Sequence, residues 1–205
     1  MTYSNKEINR LTPTNEDTVG PYFPINFSDP LLEDLSRFES GITAQPQGDP
    51  IILKGRLFDR FGELANGTLV EFWQANAKGV YRSPKHEGNS DIDPWFWGYG
   101  RLRTESGEFE FKTIMPGPCA GRAPNITITL FSDGISRIVT QIFFADQAGN
   151  ATDPLLQSLS HEDRAKLSAH HEGESDCGSK IYTIDIVMAG ENEIPFFNDL
   201  IREGE

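Results

Sequence analysis

The chain has 205 residues, 37% of them hydrophobic, and carries 31 acidic against 18 basic side chains for a net charge of −13. That length and apolar content suit one domain with a sizeable core and exclude a disordered chain. The acidic balance excludes a nucleic-acid surface, which needs an excess of lysine and arginine, and no stretch approaches the roughly 20 apolar residues of a membrane span.

In chain order, residues 1–28 are polar and rich in turn signals, and read as an extended arm. Asp29-Pro30 predicts a helix start, a side-chain cap followed by proline at the first helical position, with Leu31, Leu32, Leu35 and Phe38 at helical spacing. Residues 43–50, with Pro46, Gly48 and Pro50, read as a linker. Strands are then predicted over Ile51 to Asp59, Thr68 to Ala75, Glu108 to Phe111, Asn125 to Leu130, Ile138 to Phe144 and Lys180 to Met188. Period-two alternation places Ile126, Ile128 and Leu130 on one face. Ser160 predicts the cap of a short helix, with Asp163 at its third position and Leu167 on the inner side. Short strands between glycine and proline turns define the fold class as all-β: an antiparallel β-sandwich with an extended N-terminal arm, long loops and two short helices. Residues 1–50 form the arm, helix and linker; residues 51–205 form the sandwich.

Cys119 and Cys177 are the only cysteines, too few for a disulfide framework, and the N-terminus lacks the apolar core of a signal peptide. A cytoplasmic location is the expectation. The sequons at Asn66, Asn125 and Asn150 then read as chance, and Asn125 falls in a predicted strand where a glycan would not fit. His170-His171-Glu172 and the acidic run Glu172, Glu174, Asp176 read as solvated loop rather than a metal cluster. Trp73 reads as core, and Tyr81 as an aromatic packed at a strand end.

Two segments carry a resemblance. One is Glu71-Phe72-Trp73-Gln74-Ala75-Asn76-Ala77-Lys78-Gly79-Val80-Tyr81. The other runs Thr113-Ile114-Met115-Pro116-Gly117-Pro118-Cys119-Ala120-Gly121-Arg122-Ala123-Pro124-Asn125-Ile126-Thr127. Together they resemble the intradiol ring-cleaving dioxygenases, whose catalytic chain holds ferric iron with two tyrosines and a His-x-His pair. The first tyrosine position is Tyr81; the second reads Cys119, and the histidine positions read Asn125 and Thr127. Residues i and i+2 of a strand share a face, so Asn125 and Thr127 keep the geometry of the pair, but an amide and a hydroxyl are poor donors to iron.

The resemblance therefore points to the family's non-catalytic α subunit, with Fe(III) in a β-type partner chain and none held here. Further matches are Thr18-Val19-Gly20-Pro21-Tyr22, Asp93 to Arg101, and Gly190 to Phe197. It implies that Thr18, Gly20, Pro21 and Tyr22 wall the partner's pocket for a catechol-type substrate and dioxygen. Asp133 stands where the α subunit has an arginine for the substrate carboxylate, so a carboxylated catechol is disfavoured unless Arg137 supplies the cation. Arg122 and Gln141 fall where the catalytic chain lines its iron pocket, and are expected here as a polar contact filling the old cavity. Tyr81, Cys119, Arg122, Asn125, Thr127 and Gln141 thus form a vestigial pocket. The competing expectations are an iron-free β-sandwich ligand-binding module, and a self-sufficient enzyme using Cys119 with Tyr81.

Overall fold

A computed structural model describes residues 30–35, 37–39, 42–43, 45–83, 86–132 and 136–197. Its strands are β1 (Arg37–Glu39), β2 (Ile42–Thr43), β3 (Pro50–Phe58), β4 (Leu69–Gln74), β5 (Tyr99–Arg103), β6 (Glu108–Ile114), β7 (Asn125–Ser132), β8 (Ser136–Phe144), β9 (Ser168–Glu174) and β10 (Lys180–Val187). Two short helices, α1 (Pro154–Ser158) and α2 (His161–Lys166), lie between β8 and β9. No described helix is long and apolar enough to cross a membrane.

Strands β3 to β10 follow one order, β5-β4-β7-β8-β9-β10-β3-β6. The link between β8 and β9 is short, two residue pairs at Phe143 and Phe144, and there the layer folds over into a sandwich. Phe72 of β4 stacks on Phe111 of β6 across the interior, ring centroids 3.8 Å apart, and meets Phe109 edge-on at 5.5 Å. Alternation drives this: in β7 the inward residues Ile126, Ile128 and Leu130 are all buried, as expected from the sequence. A Cβ on Gly55 would lie 2.2 Å from the Phe109 ring, so the absence of a side chain there lets the ring seat. A polar clip joins the layers, with Gln74 donating to the Ile114 carbonyl at 3.0 Å and accepting from the Thr113 hydroxyl at 2.8 Å.

Most pairings are antiparallel. Two are parallel, β3 with β10 and β8 with β9, and alternation within a strand carries no signal of its partner's direction. Besides the short β1 and β2, two strands of the eight-stranded order escape the sequence reading. In β5 the inward positions are Gly100 and Leu102, and the glycine hides the alternation. In β9 only Ala169 is buried, so His170, His171 and Glu172, expected in a loop, are exposed strand residues; the two histidines pair with β10, and Glu172 falls where the register shifts.

The helix expected after Asp29 is a single 3-10 turn over Pro30–Glu33. Leu35 then turns into the core and its N–H bonds the Lys112 carbonyl at 2.9 Å, so pairing with β6 ends the helix before a second turn. Phe38 lies in β1. The Ser160 cap forms as read, its hydroxyl accepting from the Asp163 N–H at 3.0 Å. The other helix is α1, capped by Asp153 with Pro154 at its start, the same signal at a different place.

Candidate functional site: the outer face of the β5-β4-β7-β8 layer

Cross-strand register sets out this face in rows. One runs Arg103, Leu69, Phe131, Arg137; the next Arg101, Glu71, Thr129, Val139; the next Tyr99, Trp73, Thr127, Gln141; and the last pairs Asn125 with Phe143. Trp73 is therefore not core: Phe72 and Gln74 take the inward positions, and Trp73 points out, 40% exposed.

Two loops meet over the Trp73 end of this face. Asn76 shapes the first: its side-chain oxygen accepts from the Lys78 and Val80 N–H groups at 2.9 and 3.0 Å, and its amide donates to the Asp91 carbonyl. The second loop packs against it at backbone range, where a Cβ on Gly79 would lie 2.0 Å from the Pro118 carbonyl oxygen. The first loop delivers Tyr81, whose ring lies near-parallel to Trp73 at 6.0 Å and 13°. The second delivers Cys119, which pairs with Arg122 across a two-residue turn. Ala120 and Gly121 in that turn have φ of 50° and 78°, the left-handed pair of a type I′ hairpin.

Arg122 is the hub. It donates to Gln141 at 2.8 Å and to Asp153 at 2.9 Å, with its guanidinium 5.7 Å from the Phe143 ring centre. Asp153 has no exposed surface. One of its oxygens accepts from Arg122 and the Ala123 N–H, the other from the Leu155 and Leu156 N–H groups that open α1. Burial pushes its carboxyl up, but the bonds from Arg122, Ala123 and Leu156 outweigh this and hold it below the ordinary value. The Tyr81 phenol is pushed up by burial first and by Cys119 second, against the opposing pull of Arg122. The amide of Asn125 donates to the Ala123 carbonyl at 2.7 Å, and its oxygen is buried without a protein partner.

The structure thus gathers at one end of the face all six residues that the resemblance groups together. Arg137 is set apart, four residues along β8 from Gln141. Thr18, Gly20, Pro21, Tyr22 and Asp133 lie outside the described residues. The sequence reading missed Asp153, whose ion pair spans 31 positions, and the Glu71 carboxylate, which accepts from Tyr99 at 2.9 Å and from Arg101. Elsewhere, a groove of about 900 Å³ opens on the opposite outer face. It is lined in part by Lys54, Arg56, Glu110 and Asp185, which pair with one another.

A two-layer sandwich whose outer face ends in a tyrosine, a Pro-Gly-Pro turn and a two-step strand motif has the framework of a ring-cleaving dioxygenase. The Dioxygenase family model matches residues 18–190, and the chain belongs to the intradiol dioxygenase family. It is 33% identical to the protocatechuate 3,4-dioxygenase beta chain of Burkholderia cepacia, over 90% of this chain and 84% of that one. It is 32% identical to the protocatechuate 3,4-dioxygenase alpha chain of Pseudomonas putida, over 93% of this chain and 98% of that one. Among solved structures, it resembles the dioxygenase domain of a dioxygenase and carbohydrate-binding fusion from Streptomyces sp. SirexAA-E. The TM-score is 0.57 at 24% identity, covering 76% of this chain and 94% of that domain, a likeness of fold.

The family is generally dependent on ferric iron. Of the four residues that the resemblance sets at the iron ligands, three do not fit that ion. Tyr81 alone keeps a family ligand type, and Cys119 is a single thiol. The Asn125 amide is turned to a backbone carbonyl, and Thr127 is a neutral hydroxyl.

Proposed function

We propose that this chain is the non-catalytic α-type subunit of a two-chain intradiol dioxygenase similar to protocatechuate 3,4-dioxygenase, working in the cytoplasm. A β-type partner holds the ferric iron. The complex inserts both atoms of dioxygen between the two hydroxyl-bearing carbons of a catechol. The reading rests on one observation, the donor set at Tyr81, Cys119, Asn125 and Thr127, which suits a packed polar cluster better than ferric iron. Similarity to both chains of protocatechuate 3,4-dioxygenases supports a paired assembly.

In this role Thr18, Gly20, Pro21 and Tyr22 wall the partner's pocket. A pocket between subunits gains selectivity from two surfaces. Asp133 disfavours a ring carboxylate by charge, and Arg137 is the candidate cation to offset it. Arg122 and Gln141 no longer serve chemistry; with Asp153 they brace the loops over the old ligand positions.

Native mass spectrometry of the tagged chain, purified from its own cells, tests this. The expected result is a hetero-assembly with one iron per pair of unlike chains. An iron-free assembly of this chain alone would favour the ligand-binding module. Iron bound stoichiometrically by this chain alone would favour a self-sufficient enzyme.

A further inference from the structure

Among the described residues, β9 pairs with β8 only at Phe143 and Phe144, so the rest of that edge of β8 is left to another neighbour. A strand edge is a row of N–H and C=O groups that any extended segment can use as a template. The C-terminal segment is what approaches this one. After β10, Ile194 is buried and its N–H bonds the Val187 carbonyl at 2.9 Å. The Thr140 hydroxyl donates to the Pro195 carbonyl at 2.6 Å, and the Phe197 N–H donates to the Val139 carbonyl at 2.7 Å. The contact in β8 steps back from Thr140 to Val139 as the tail advances from Pro195 to Phe197, so the two segments run antiparallel.

Residue parity extends this register. In an extended strand a residue's N–H and C=O point to the same side, and every second residue repeats that direction. Phe143 turns its N–H to the Leu167 carbonyl, and Val139 turns its carbonyl to Phe197, both on this edge. Arg137 has the same parity. With Phe197 opposite Val139, Asp199 comes opposite Arg137. Directly opposite side chains of antiparallel strands share a face, and unlike charges there attract. Arg137 is exposed on the outer face of its layer.

We propose that residues 198–200 continue the C-terminal segment as an added antiparallel strand on this edge of β8, pinned by an ion pair between Asp199 and Arg137. The inference goes beyond the α-type reading and does not depend on it. The pair would engage the cation that the proposed function offers to a ring carboxylate, so the tail and such a substrate would compete for Arg137. The added strand would also keep other chains from pairing with β8.

Hydrogen–deuterium exchange of the native assembly, read at single residues, tests the strand. Wild type is compared with a chain ending at Phe197, with Asp199→Arg, and with Asp199→Arg combined with Arg137→Asp. The expected result is a protected backbone amide at residue 137 in wild type. In the shortened chain it should exchange about tenfold faster, the order set by one backbone hydrogen bond. Asp199→Arg should speed it as well, and the reversed pair should restore protection. Equal protection in wild type, the shortened chain and Asp199→Arg would overturn the strand. Protection that survives truncation but falls on dilution would give the edge to a second copy and overturn it too. Loss on truncation without rescue by the reversed pair would overturn the ion pair.

Discussion

Asp153 accepts four hydrogen bonds in a fully buried position, and so ties Arg122, Ala123 and the start of α1 to a single side chain. Asp153→Asn keeps an acceptor for the helix cap but loses the charge opposite Arg122. The expected cost is roughly 2–3 kcal/mol, below the usual figure for breaking a buried pair because Arg122 is partly solvated. Because the folded carboxyl is held below its ordinary value of 3.8, its stabilisation is present above that pH and is lost as pH falls through the folded value. Denaturation midpoints of wild type and variant should therefore differ at neutral pH and converge in acid. Tyr99 behaves oppositely. Burial first, then its bond to Glu71, pushes its phenol from 10.0 up to about 12. Its stabilisation is present below pH 10 and lost as pH rises through about 12. The stability difference between wild type and Tyr99→Phe should shrink across that alkaline window.

The join between the layers depends on the Phe72–Phe111 stack, both rings fully buried. Phe111→Ala should lose about 3–5 kcal/mol in chemical denaturation, since the facing layers cannot collapse into the space. Alternation made such strands legible: Phe109 and Phe111 in β6, and the isoleucines of β7, are pointed inward by a pattern anyone can count. Applied to β4, the same pattern would have placed Trp73 outside, because Phe72 and Gln74 occupy the inner side. What stayed hidden was set by distant partners. The leucines after Pro30 fit a helix, until Leu35 is drawn to β6. His170 and His171 look like loop because β9 is held by its neighbours rather than by buried side chains of its own. In the site, the two loop motifs exposed Tyr81, Cys119 and Arg122, yet Asp153, which fixes Arg122 from another part of the chain, has no local signature as an ion-pair partner.

In the proposed assembly, the N-terminal residues are among those assigned to the substrate pocket. Tyr22 follows Gly20-Pro21 in a segment assigned by the proposed function to the partner's pocket. Tyr22→Ala should raise KM of the complex for its catechol by about tenfold, the order expected for loss of one aromatic contact, while thermal stability barely moves. Unchanged steady-state kinetics would remove Tyr22 from the pocket.

The parallel pairing of β3 with β10 also bears on how the molecule is made. Arg56 and Asp185, joined by two hydrogen bonds across that pairing, are 129 positions apart. On a ribosome adding about 5–20 residues per second, β3 waits roughly 6 to 26 seconds for its neighbour. Throughout that interval one edge of β3 is an open template beside β6, at the stage when pairing with another nascent chain is hardest to prevent. Long-range closure of this kind makes folding slow, and leaves it to β10, the last of the described strands in chain order.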